Sequence, residues 1–260
     1  ADAARIHLRL GDTPVRLDQG EWLYFERALD LRNGCYRRRL RWRSPEGATL
    51  EIEAERIVSL EDAGLLAIRY RVRSLDYAGP ITLESSISTA REAVEQGSDP
   101  RIGSRIDGGL GTCDAHAEED LAWVGQQTTH SGIRLVCAQR HRHAGELQFR
   151  YANLAPHGVT QVYEGVLAPG QAVALDKYVA YAFTAPFAGD PASDLLARAQ
   201  ASLDAASALG YPALLARQAQ ALSALWAQAD LAIDGDPATE QALRFNLFHV
   251  FQSSSRDSHG

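Results

Sequence analysis

CYRRRLRWRSPEGATLEIEAERIVSLEDAGLLAIRYRV, residues 35 to 72, carries three alternating runs separated by short turn signals. Arg37, Arg39, Arg41 and Arg43 share one face of the first run, and Glu51, Glu53 and Glu55 share one face of the second. A period of two marks a half-buried strand, because successive side chains leave opposite faces of the pleat. Pro45-Glu46-Gly47 reads as a short hairpin loop. With Ser44 opposite Ala48, that loop sets Arg41 against Glu51, Arg39 against Glu53 and Arg37 against Glu55. Opposite charges directly across a ladder stabilise it by about 0.2–1 kcal/mol each, whereas a slip of one residue would bury them. Leu50, Ile52, Ala54, Arg56 and Val58 then point away from the Glu row. In the third run Leu66, Ile68, Tyr70 and Val72 oppose Arg69, Arg71 and Arg73.

The same period recurs outward from this stretch, at Ile81, Leu83, Ser85 and Ile87, at Ile133, Leu135 and Cys137, and around Val173, Leu175 and Tyr178. Asn33-Gly34, Ala78-Gly79-Pro80 and Pro169-Gly170 punctuate it. About ten to twelve short strands without intervening helices predict antiparallel sheets that stack into a sandwich. After Asp190 the period becomes helical. Asp190-Pro191 reads as an N-cap with proline at the first helical position, and Gly210 as the stop. Pro212 opens a second helix, with Leu214, Leu215, Gln218, Leu222, Leu225, Trp226 and Ala229 on one stripe. Asp236-Pro237 opens a third, on which Leu243, Phe245, Leu247, Phe248, Val250 and Phe251 take up most of the circumference. A helix apolar nearly all round belongs inside a larger assembly. It is expected to be covered by a second molecule, by the sandwich or by further chain. The fold class is therefore mainly β: a sandwich over residues 1–189, a helical segment over 190–235 and a further helix within 236–260.

Of the 260 residues 45% are hydrophobic and 23% charged, the balance of a globular chain. The net charge of −7 argues against a nucleic-acid partner, whose footprint would be basic. No stretch approaches the roughly 20 apolar residues of a membrane-spanning helix. The three cysteines, Cys35, Cys113 and Cys137, form neither a disulfide framework nor a CxxC motif and suit a reducing cytoplasm. The Ala-rich start lacks a signal peptide's pattern. The absence of methionine points to a processed product or a fragment.

Four clusters could carry chemistry. Arg140-His141-Arg142-His143 sets two imidazoles on one strand face about 7 Å apart, but no third ligand stands at a metal-site spacing. A solvated strand end or loop is the expectation there, with no metal. Gly108-Gly109-Leu110-Gly111-Thr112 matches neither GxxxxGK[ST] nor GxGxxG and reads as a flexible loop. Glu118-Glu119-Asp120 reads as a solvated acidic face. Asp234, Asp236 and Glu240 surround a helix start, where Asp chiefly caps.

Four blocks in order resemble glycoside hydrolase family 65, the maltose, trehalose and kojibiose phosphorylases and their hydrolase relatives. They are FERALDLRNGCYRRRLRW (25–42), ERIVSLEDAGLLAIRYRV (55–72), LAPGQAVALDKYVAY (167–181) and LWAQADLAIDGDPATEQALRFNLFHVFQSSSRD (225–257). The resemblance implies a galactose-mutarotase-like super-sandwich, a helical linker and the start of an (α/α)6 catalytic barrel. It also implies inverting chemistry in that barrel. There a Glu protonates the glycosidic oxygen while inorganic phosphate, or water in a hydrolase, attacks the opposite face of the anomeric carbon. No catalytic residue carries onto this chain, which stops before the family's Trp-Asp barrel motif, and no substrate-binding residue is assigned. The implied partners are the rest of the barrel, an α-glucosyl disaccharide and a second protomer of a cytoplasmic homodimer. Phosphate is the co-substrate, and no cofactor is implied. A free-standing carbohydrate-binding or scaffolding module, and part of a trehalose or maltose hydrolase, are the competing readings.

Overall fold

The Arg and Glu rows pair in the expected register. In the computed structural model, which describes residues 1–16, 18–90, 109–184, 192–229, 233 and 235–253, Arg37 lies opposite Glu55, Arg39 opposite Glu53 and Arg41 opposite Glu51. These three belong to strands β4 (Cys35–Arg43) and β5 (Thr49–Val58), next to β6 (Leu65–Ser74). Before them come β1 (Ile6–Leu10), β2 (Thr13–Pro14) and β3 (Glu21–Asp30). After them come β7 (Gly79–Ser88), β8 (Leu110–Ala117), β9 (Ala122–Thr128), β10 (Arg134–Ala144), β11 (Leu147–Ala155), β12 (Gly158–Leu167) and β13 (Ala172–Phe183). Two antiparallel sheets result, one of five strands in the order β11-β12-β7-β1-β2 and one of eight in the order β3-β4-β5-β6-β13-β10-β9-β8.

The facing sides of the two sheets make one core. Trp42, Leu50, Val72, Ile81, Leu83, Leu175 and their neighbours are buried between them. The outer face of the eight-stranded sheet makes a second core, under helices α1 (Ala192–Leu209) and α2 (Tyr211–Ala229). Leu195, Ala199, Leu203 and Ala206 form the stripe that α1 lays on Val136, Ala138, Tyr178 and Ala180. Covering both faces removes the alternation of burial from the middles of β10 and β13, where Val136–Gln139 and Lys177–Ala180 are buried in succession.

That second layer corrects the reading of β5. Arg56 and Val58 are exposed, while Glu55 and Ile57, on the opposite face, are buried. Here the helices cover the outer face and the smaller sheet does not extend over the inner one. Gln218, on the apolar stripe of α2, accepts the Leu60 N–H at 2.9 Å and donates to the Val58 carbonyl at 3.0 Å. It thereby satisfies backbone groups where β5 leaves the ladder.

The caps are partly as read. Gly210 takes φ +82° and donates to the Ala206 carbonyl, ending α1 in the left-handed conformation. Helix α2 starts at Tyr211, one residue earlier than expected. The Asp190-Pro191 start of α1 lies outside the described residues. Helix α3 (Pro237–Ser253) is capped by Asp236, whose carboxylate accepts the Thr239 N–H at 3.1 Å. Its Phe248 is buried near Gly34 and Leu222, and Phe251 meets Trp226 with ring centroids 5.2 Å apart. Gly34 holds φ +65°, and a Cβ there would come within 3.0 Å of Gln218 and Leu222, so glycine is required twice over. Phe245 and Val250 remain 45% and 58% exposed. The helix therefore folds back on α2 and the β3–β4 turn without losing its apolar outer side.

Candidate functional site

Two of the four clusters meet in space. His141 and His143 of β10 face Tyr163 of β12, with ring centroids 5.2 and 5.8 Å apart. Glu119 and Asp120, from the β8–β9 turn, rim the same groove of about 680 Å³, together with Arg140 and Arg142. Strand alternation separates the run: the imidazoles lie on the inner face of the large sheet, the guanidiniums on the outer one.

Buried polar groups between the sheets position this groove. Gln139 and Gln161 are fully buried, and Gln139 Nε2 donates to Gln161 Oε1 at 2.9 Å. Gln161 Nε2 in turn donates to the Glu118 and Glu119 carbonyls at 2.6 and 2.9 Å. Arg140 Nε donates to the Asp120 carbonyl at 3.1 Å, and its guanidinium pairs with Asp204 of α1. The turn is thus tied to both layers beneath it. Ser85 of β7 sits 2.8 Å from His141 Nε2, while Nδ1 is buried without a partner.

The solvated-end reading holds for Arg142 and His143, which are exposed, and fails for His141, whose ring is turned into the sandwich. Burial, with Lys177 and His143 nearby, holds its pKa well below 6.5, so this imidazole is neutral. Among the described residues no group of three or more His, Cys, Asp or Glu is disposed to hold a metal ion. Among the described residues, the only carboxylates on the groove are adjacent in one turn. Glycosidic cleavage by a carboxylate pair needs the two across the sugar from each other, about 5–9.5 Å apart depending on the stereochemical course.

The flexible-loop reading of 108–112 is overturned in its described part. Leu110–Thr112 opens edge strand β8, pairing Leu110 with Thr128 and Gly111 with Gln127. Gly108 and Asp234 lie outside the described residues. Glu240 accepts the Ile233 N–H at 3.2 Å and pairs with Arg244 at 2.6 Å, a helix-start role like that of Asp236. The cysteines are free, with Cys35 and Cys137 buried and Cys113 exposed.

Lys177 was not singled out by the pattern. It is fully buried between the sheets, and its Nζ donates to the Ser86 and Arg5 carbonyls at 2.9 and 3.2 Å. Burial pushes its pKa down to about 7, although Cys137 and Asp2 favour the charged form. Its place two residues from Leu175 and two from Val179, on the inward phase of β13, was the available signal.

The family model for the N-terminal domain of glycosyl hydrolase family 65 matches residues 1–225, from before β1 into the last turns of α2. The chain belongs to glycosyl hydrolase family 65. Among curated family 65 relatives, α,α-trehalose phosphorylase of Thermoanaerobacter brockii is 31% identical over 259 residues, 99% of this chain and 33% of its own length. An uncharacterized glycosyl hydrolase of Mycobacterium tuberculosis is 32% identical over 253 residues, 96% of this chain and 32% of its own. The chain therefore spans about a third of the curated relatives it matches. A solved human-microbiome protein provisionally described as a kojibiose phosphorylase superposes with TM-score 0.82 at 20% identity, over 95% of this chain and 31% of its own. That likeness establishes the sandwich fold. Among the described residues no helix is long and apolar enough to cross a membrane.

Proposed function

We propose that this chain is the supporting N-terminal part of a family 65 phosphorylase that cleaves an α-glucosyl disaccharide with inversion, releasing β-glucose 1-phosphate. The observation that carries the reading is 31% identity over 99% of the chain to an enzyme named as a trehalose phosphorylase, of which the chain spans 33%. In this reading a Glu of the barrel protonates the leaving oxygen, and inorganic phosphate is the nucleophile and the sole co-reactant. The chain contributes no catalytic group and holds the barrel in place. Its two-layered packing suits that role, because α1 and α2 are anchored on the eight-stranded sheet through one continuous core. Phe245 and Val250, exposed on α3, would pack against further barrel helices. The protein would act as a cytoplasmic homodimer, which three free cysteines suit.

The test is to incubate a protein carrying this chain and its barrel with trehalose, kojibiose or maltose, with and without phosphate, and to follow products by ³¹P and ¹H NMR. Phosphate-dependent β-glucose 1-phosphate is expected. Glucose released equally without phosphate would assign the protein to the hydrolases instead.

A further inference from the structure

The groove between the β8–β9 turn and the end of β10 has no part in that chemistry, yet it has the features of a built site. Tyr163 is only 2% exposed, and its hydroxyl makes no hydrogen bond to any described residue. Beside it, His141 Nδ1 is buried and unpartnered. Buried polar atoms are almost always satisfied, so this nitrogen, next to a groove that Tyr163 also lines, calls for a hydrogen-bonding occupant. The Glu119 and Asp120 carboxylates pair with no described cation, and they add to the burial that raises the proton affinity of the Tyr163 hydroxyl.

The mixture of groups selects the occupant's chemistry. An anion would meet two carboxylates, and a cation would meet Arg142 beside the groove. A neutral molecule with several hydroxyls suits both, because each hydroxyl donates to a carboxylate or accepts from a guanidinium or phenol. The exposed His143 ring, held against Tyr163, supplies a flat face for its C–H groups. The volume, about 680 Å³, lies within the range of small-ligand clefts. The walls are also fixed in advance, the turn by Gln161 and His141 by Ser85.

We propose that this groove binds a sugar, with Tyr163 Oη and the Glu119 and Asp120 carboxylates hydrogen-bonded to neighbouring hydroxyls. The inference goes beyond the proposed function, and only the choice of glucosides as first probes rests on that reading. The test is to titrate the chain with trehalose, glucose, galactose, mannitol and inorganic phosphate while following the ring C–H signals of His141 and His143 by NMR. Saturable shifts of both signals at millimolar sugar are expected. Tyr163→Phe should weaken binding about fivefold, the loss of one net hydrogen bond. His143→Ala, at an exposed position, should weaken it while leaving the melting temperature unchanged. Shifts with galactose or mannitol but with no glucoside would uphold the groove as a sugar site, selective for other sugars than the probes chosen first. No saturable shift with any sugar, a response to phosphate alone, or full affinity in both variants would overturn the proposal.

Discussion

Lys177 is the residue at which folding and pH are most closely coupled. An unfolded lysine holds its proton up to about 10.5, whereas the folded group gives it up near 7. Between those values the unfolded chain binds more protons than the folded one, so stability rises with pH across the window. Below pH 7 both states are protonated, and the full cost of burying the charge is present. From pH 7 to 8, below the unfolded thiol's pKa of about 8.5, denaturant melts should show a gain of about 1 kcal/mol. Lys177→Met should flatten that rise; an unchanged slope would remove Lys177 as its source. His141 acts at lower pH. Its neutral folded form is penalised once the unfolded imidazole protonates, so stability should fall further below pH 6.5. Neither residue announced this behaviour. His141 sits just past the doubly covered middle of β10, between the charged Arg140 and Arg142, so the polar run gives no sign that its ring is turned inward.

At the scale of elements, the β4–β5 register was legible because charge and period agreed. Two registers set three Arg against three Glu, and the turn length selects the one adopted. Glu53 receives Arg39 at 2.7 Å and also lies 3.6 and 3.7 Å from Arg37 and Arg71. Arg39 is about half exposed, so a double-mutant cycle between Arg39 and Glu53 should give a coupling of only about 0.2–1 kcal/mol, diminished in 1 M salt. At the far end of β5 the two faces are as read, but which of them is buried depends on helices more than a hundred residues downstream. Helix α3 was read correctly as apolar on most sides, and the structure covers only the side bearing Phe248 and Phe251. Sedimentation of the chain beside a version ending at residue 234 should show the longer one self-associating and the shorter one monomeric. Two equally soluble monomers would mean that Phe245 and Val250 need no partner.

Over the whole molecule, period and punctuation were enough for a sandwich followed by helices, and four ordered blocks were enough for the family. The groove was not legible, because its parts come from three separated turns and strands: Glu119–Asp120, His141–His143 and Tyr163. Only the packing of the two sheets brings them together. The most direct measurement is phosphorolysis by the purified 260-residue chain itself, supplied with phosphate and trehalose, kojibiose or maltose. No glucose 1-phosphate and no glucose should form over a period in which a complete family 65 phosphorylase consumes its substrate. Glucose 1-phosphate released by this chain alone would contradict the supporting role outright.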